Sequence, residues 1–238
     1  MVIPPQSLAG SPGPNSNGST ASSETRPTLV IETATAACSV ALLVGGVVTA
    51  RAHDVVGRGH AERLVPMIAS LPGQGRAPRI LVDVGPGSFT GVRVGLAAAI
   101  GLSIGWQAQV AGYSSLALLA AAAFDADPAL ARLAVVLEGG HGEVFMQGFA
   151  SSRPDGLLAD GPLRSLLPAD ALAALDGRPA IGSGIRRLAA LDPAADLREA
   201  LPDAGDARLL PPAFATLPPR PIYGRAPDAR TLAERGLA

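Results

Sequence analysis

The stretch from Arg79 to Trp106 constrains the fold most. Arg79-Ile80-Leu81-Val82-Asp83-Val84 is an almost unbroken apolar run, the pattern of a strand buried on both faces. It leads through Gly85-Pro86-Gly87-Ser88-Phe89-Thr90-Gly91 into a long apolar helix from about Val92 to Trp106. A strand buried on two faces needs cover on each, so a chain containing this unit has to build layers of helix and sheet. With 238 residues and 48% apolar content there is material for one large or two small such domains.

The flanking sequence fits an α/β protein of two small lobes. Leu29–Glu32 and Cys38–Val44 read as short apolar strands, and Gly45-Gly46 turns the chain into a third strand, Val47–Val55. From His60, apolar residues recur at Leu64, Val65, Ile68 and Leu71, the spacing of an amphipathic helix that Pro72-Gly73 ends. Ser114-Ser115 caps an alanine-rich helix reaching about Phe124, and strands at Leu133–Leu137 and Glu143–Phe149 flank the loop 138–142. Helices at Pro168–Leu175 and Ile185–Ala200 are separated by the strand-turn Ala180–Gly184, and from Leu209 the chain is proline-rich and extended. Residues 1–28, dominated by Pro, Gly, Ser, Thr and Asn, hold no apolar run to bury and are expected to be a disordered tail. They do not have the layout of a secretory signal. The most apolar stretch, Val94–Trp106, is thirteen residues and short of a membrane span.

Composition removes several chemistries. All nineteen basic residues are arginine, so there is no lysine for a Walker loop, a Schiff base or a kinase phosphate grip. The net charge of -1 and 3% aromatic content give no footprint of autonomous nucleic-acid binding. One cysteine, Cys38, excludes an intrachain disulfide and suits the cytosol; among apolar neighbours it reads as a buried, inert thiol. His53, His60 and His141 have no metal-binding spacing.

A few residues remain as candidates. The loop 85–91 has three glycines ahead of a helix N-terminus, which suits either an anion or a tight turn packed against a neighbour, with Thr90 as N-cap. Arg93 sits in the first helical turn, where a cation opposes the dipole, so an acidic side chain, a partner or a phosphate is expected to compensate it. Gly95 and Gly101 in a helix interior imply close packing, on the sheet or on a partner's helix. Glu32, closing the first strand beside Thr33, is placed either to cap the turn backbone or to hold a water or cation.

The segment Leu29 to Leu42, with Glu32-Thr33-Ala34-Thr35, resembles the opening of the bacterial TsaB (formerly YeaZ) family, and Gly85 to Leu96 resembles its Gly-Pro-Gly-Ser-Phe-Thr-Gly-x-Arg block. His60–Ile68, Gly142-Glu143-Val144-Phe145 and Pro221-Ile222-Tyr223-Gly224-Arg225 are similar to further family motifs, in the family's order.

The resemblance implies a two-lobed actin/Hsp70-like (ASKHA) fold of duplicated ribonuclease-H-like subdomains, with lobes at 29–108 and 109–238, the second ending irregularly. It implies a non-catalytic scaffold for the TsaD transferase, which with the TsaE ATPase threonylcarbamoylates the tRNA adenosine beside the anticodon. ATP and Mg belong to those subunits and tRNA is met through the complex; the chain itself would be cytoplasmic, need no cofactor and tend to self-associate. His60, Arg63, Leu64, Met67, Arg93, Gly95, Ala98 and Leu102 are the expected partner interface, and Glu32, Thr33, Gly85, Gly87 and Ser88 a vestigial nucleotide site. The chain departs from the family in Glu32 for aspartate, in Asp83-Val84 for Gly-Arg, in Glu138–His141 for Asp-Ala-Arg/Lys-x, which loses a basic residue, in a shorter 71–79 connection and in Pro211–Pro221 where the family has its last helix before the Pro-x-Tyr ending. The alternative reading is a nucleotide-binding enzyme of the same superfamily, ATPase or peptidase-like, using Glu32, the loop and Arg93.

Overall fold

The computed structural model describes residues 26–152 and 156–224. The first lobe opens with β1 (Thr28–Glu32), β2 (Ala37–Val44) and β3 (Val47–Val55), continues through α1 (His60–Ser70), β4 (Arg79–Asp83) and α2 (Phe89–Trp106), and ends with β5 (Gln109–Tyr113). Then α3 (Ser115–Ala126) leads to β6 (Arg132–Glu138), β7 (Val144–Ser152), β8 (Gly156–Ala159), β9 (Arg164–Leu166), α4 (Pro168–Leu175), β10 (Ala180–Ile181), α5 (Ile185–Ala189) and β11 (Leu197–Arg198). Two 3-10 turns, Ala204–Leu209 and Pro212–Phe214, close the described chain.

The first sheet has the order β3-β2-β1-β4-β5, antiparallel up to β1 and parallel beyond. The second has the order β11-β10-β6-β7-β8, with β6, β7 and β8 antiparallel and β10 and β11 parallel. Each sheet is therefore a three-stranded meander extended by two parallel strands.

Strand alternation builds five layers from this. Leu29, Ile31, Val40, Ile80 and Val82 point to α1 and α2, forming one core with Leu64, Met67, Val92 and Leu96. Val30, Ala41 and Leu81 point the other way, onto Leu116, Ala120 and Phe124 of α3, whose far side meets Leu133, Val135 and Leu137 of the second sheet. The second sheet's outer face, Ala134, Val136 and Met146, packs on Ala171, Leu175 and Leu188 of α4 and α5. The near-continuous apolar reading of β4 is explained, because it is covered on both faces.

Several boundaries differ from expectation. β5, which was not expected, pairs with β4, so the first sheet runs on to Tyr113. The helix expected over Ile185–Ala200 stops at Ala189; Pro193 cannot continue it, and Asp192 turns the chain by accepting from the Ala194 N–H. α2 begins at Phe89, and its N-cap is Ser88, whose Oγ accepts the Gly91 N–H at 3.1 Å, not Thr90. At eighteen residues, α2 is long and apolar enough to cross a membrane by length and composition alone. Here Val92, Leu96 and Ala99 lie buried against the first sheet. Residues 1–25 of the expected tail, and Arg225, lie outside the described residues, while Thr28 already belongs to β1.

Candidate functional site

β1 and β4 run parallel with Ile31 opposite Val82, so Glu32 and Asp83 close neighbouring strands on the same level. Both are fully buried. Glu32 Oε1 accepts the Ala34 N–H at 2.9 Å, the turn-capping role that was one of its two readings. Its Oε2 lies 2.7 Å from Ser115 Oγ and 3.0 Å from the Tyr113 hydroxyl. Asp83 Oδ1 accepts the Gly85 N–H at 3.0 Å and the Ser115 N–H at 3.1 Å, and lies 2.7 Å from the same Ser115 Oγ. Burial, reinforced by the Asp83 charge, holds Glu32 well above the usual carboxylate range. Burial also pushes Asp83 up to about 7.

The glycine loop is closed by its own chain. The Ser88 N–H donates to Ala34 O at 2.6 Å, and Thr33 Oγ1 donates to Gly91 O at 2.9 Å. A Cβ on Gly87 would sit inside contact distance of Ala34 O, and one on Gly91 inside that of Thr33 O. On Gly95 it would strike Thr33 Oγ1. The glycines thus serve close packing of α2 and its leading loop onto the 33–35 turn. Of the residues expected to form a vestigial nucleotide site, Glu32 and Thr33 are sealed, Gly85 packs under the carbonyl of Ile222, and Gly87, which abuts Ala34, lines the interlobe cleft together with Ser88.

Among the described residues, Arg93 meets a carbonyl, a hydroxyl and two aromatic rings. Its Nη1 donates to Phe89 O and its Nη2 to the Tyr223 hydroxyl, each at 2.8 Å. The guanidinium stacks 3.3 Å from the Phe89 ring centroid, a cation–π contact. Tyr223 belongs to the C-terminal segment, which returns to the first lobe where the Ile222 N–H donates to Val84 O at 2.8 Å. Between the lobes these groups edge a cleft of about 700 Å³, walled also by Ser88, His141 and Phe145. Among the described residues no cluster of three or more His, Cys, Asp or Glu could hold a metal ion. Cys38 is buried as expected, and burial pushes its thiol up to about 11.

The structure divides the expected interface residues. Leu64, Met67, His60 and Gly95 are turned inward: the first two belong to the core under the sheet, and His60 Nε2 lies 3.1 Å from Ala37 O. Ala98 and Leu102 are partly covered by the same core, and Arg63 pairs with Asp54. Replacing Leu64 with Ala should therefore destabilise the fold by about 2–5 kcal/mol in denaturant unfolding, as core truncations do. The exposed faces carry other residues, namely Val65 (56% exposed) on α1 and Phe89 (69%), Ile100 (46%) and Ile104 (77%) on α2. On α2, Phe89, Ile100 and Ile104 form a stripe that borders the buried row of Val92, Leu96 and Ala99, three and four residues from it along the helix. Gly101 and Gly105 lie on this open face, where a Cβ would meet nothing within 4 Å.

The family model described as TsaD, tRNA N6-adenosine threonylcarbamoyltransferase, matches residues 33–153, half of the chain. The tRNA threonylcarbamoyladenosine biosynthesis protein TsaB of Escherichia coli K12 is 38% identical over 125 residues, covering 49% of this chain and 52% of that protein. TsaB of Haemophilus influenzae is 40% identical over 102 residues, 41% of this chain and 43% of that protein. The chain thus spans about half the length of the curated relatives it matches. A Pseudomonas aeruginosa structure described as similar to peptidase YeaZ superposes with a TM-score of 0.70 at 28% identity, over 84% of this chain and all of that one. YeaZ from the same organism gives 0.68 at 27%, over 83% and 99%.

The two sheets, the cleft between them and the acidic tips of the first sheet's inner strands define a protein of the actin/Hsp70-like (ASKHA) class. Within that class the chain belongs to the family whose model it matches, in its TsaB (YeaZ) branch.

Proposed function

We propose that this chain is a non-catalytic scaffold subunit that binds a TsaD-type transferase through the exposed face of α1 and α2. That face is the observation that carries the reading: Val65, Phe89, Ile100 and Ile104 stand out of a helix pair that has already buried its other side. Large apolar side chains left exposed along neighbouring helices, with Gly101 and Gly105 allowing close backbone approach on α2, mark a protein contact. TsaE-type ATPase and tRNA would be met through the complex, self-association would use the same face, and the chain would work in the cytoplasm, away from membranes and without a cofactor. The repeated strand order of the two sheets supports reading the lobes as duplicated ribonuclease-H-like subdomains, the first running to Tyr113.

The enzymatic alternative is not favoured, because its acid, Glu32, is sealed under Tyr113 and Ser115. Titration of the full chain into the cognate transferase by calorimetry tests the proposal. Saturable binding of a defined stoichiometry is expected. Absence of binding, with ATP hydrolysis by the isolated chain, would favour the enzyme.

A further inference from the structure

The contacts around Ser115 contain a hydrogen count that does not close with two carboxylates. Ser115 Oγ lies 2.7 Å from Glu32 Oε2 and 2.7 Å from Asp83 Oδ1, both full-strength O–H···O distances. A serine hydroxyl has one hydrogen to donate, and an ionised carboxylate only accepts. One of the two contacts must therefore be donated by a carboxyl group. Asp83 Oδ1 is the poorer place for that proton, because it already accepts the Gly85 and Ser115 N–H groups. The Ser115 N–H also opens α3, and the positive end of a helix favours the anion there. Glu32 Oε2 has no backbone donor; its remaining neighbour is the Tyr113 hydroxyl, whose single hydrogen is divided with Ile31 O at 3.1 Å.

We propose that Glu32 is held as a neutral carboxylic acid that donates from Oε2 to Ser115 Oγ, while Ser115 donates in turn to the Asp83 carboxylate, and that this proton latches α3 to the tips of β1 and β4. The latch sits at the crossover Tyr113-Ser114-Ser115, where the chain leaves the first sheet for the helix on which both sheets pack. Among the described residues Asp83 Oδ2 is buried and has no hydrogen-bond partner, so the Asp83 charge is poorly screened, and a second negative charge on buried Glu32 beside it is costly. Among the described residues, the other titratable groups facing the pair supply no positive charge: Tyr113 from β5, Cys38 from β2, and Asp203 from the C-terminal segment acting on Tyr113. On α1, Arg63 is spent on Asp54 and His60 on Ala37 O, and on α2 Arg93 turns to Phe89 and Tyr223.

The unfolded chain releases such a proton in the ordinary carboxylate range, so between that range and the folded value the unfolded state binds fewer protons. Stability then falls as pH rises. For Asp83 this window runs from 3.8 to about 7, and for Glu32, also raised, it continues above the usual carboxylate range.

The test compares the full chain with Glu32→Gln, whose amide can accept from Ala34 and donate to Ser115 without a titrating proton. Infrared spectra at pH 7.5 should show a neutral-carboxyl stretch in the wild type that Glu32→Gln lacks. Thermal melts should coincide within a few degrees at pH 6, and the variant should outlast the wild type at pH 9. A wild-type spectrum without the band would overturn the proposal, and that arm stands even if the variant fails to fold. So would a band that survives at undiminished intensity in the variant, which puts the proton on Asp83, or a variant that melts well below wild type at both pH values.

Discussion

Ile104→Arg should weaken binding to the TsaD-type partner about a hundredfold while leaving the fold intact. Ile104 is 77% exposed on the outer face of α2, so removing it costs the monomer almost nothing. An arginine in the last turn of a helix, two residues from its end at Trp106, lies at the negative end of the dipole and is if anything stabilising there. In a docked interface the same guanidinium would be buried without a counter-charge, on a face whose neighbours are Ile100, Gly101 and Gly105. An uncompensated buried charge costs about 3 kcal/mol or more, a loss of affinity of about a hundredfold. Calorimetric titration reads the affinity, and an unchanged thermal melt of the free variant shows that the fold is not the cause. Affinity within a factor of three of wild type would move the interface off α2.

Gly91→Ala should act in the opposite way, on stability. The added Cβ would fall inside contact distance of the Thr33 carbonyl oxygen. That oxygen is backbone, fixed between Glu32, which caps the next turn, and the Ser88–Ala34 hydrogen bond. Relief would require α2 to lift from the sheet, breaking the Thr33 Oγ1 to Gly91 O bond and parting Gly95 from Ile31 and Thr33. Overpacking of this kind usually costs 1–3 kcal/mol, and with no flexible side chain to yield we expect about 3 kcal/mol in urea unfolding. Gly101→Ala, ten residues along the same helix, is the control. Its Cβ meets nothing within 4 Å, so the exchange should be neutral or stabilising by up to about 1 kcal/mol.

Where local pattern decides structure, the sequence was readable. Gly45-Gly46 and the apolar runs on either side define β2 and β3, and the three- and four-residue spacing from His60 to Ile68 defines α1 to within a residue or two. β5 was missed because no glycine or proline separates it from α2; Gln107 supplies the left-handed cap that glycine usually provides. The helical spacing that identified α1 did not say which side faced inward, and Leu64 and Met67 went to the core. The acid pair was out of reach for a different reason. Glu32, Asp83 and Ser115 lie 83 and 32 residues apart along their contacts, and only the parallel register of β1, β4 and β5 brings them together. The glycine loop allowed two readings, and its packing against residues 33–35 accounts for Gly87 and Gly91 as a tight turn.

The sealed strand tips and the open helix face support one account: a chain that has turned the inner end of its first sheet into structure and offers its outer helices to a partner. Transfer of the threonylcarbamoyl group to tRNA by the cognate TsaD-type and TsaE-type proteins, with and without the full chain, tests it most directly. The account predicts transfer that depends on the chain, is unchanged by Glu32→Gln near neutral pH and falls with Ile104→Arg. Full transfer in the absence of the chain would contradict it.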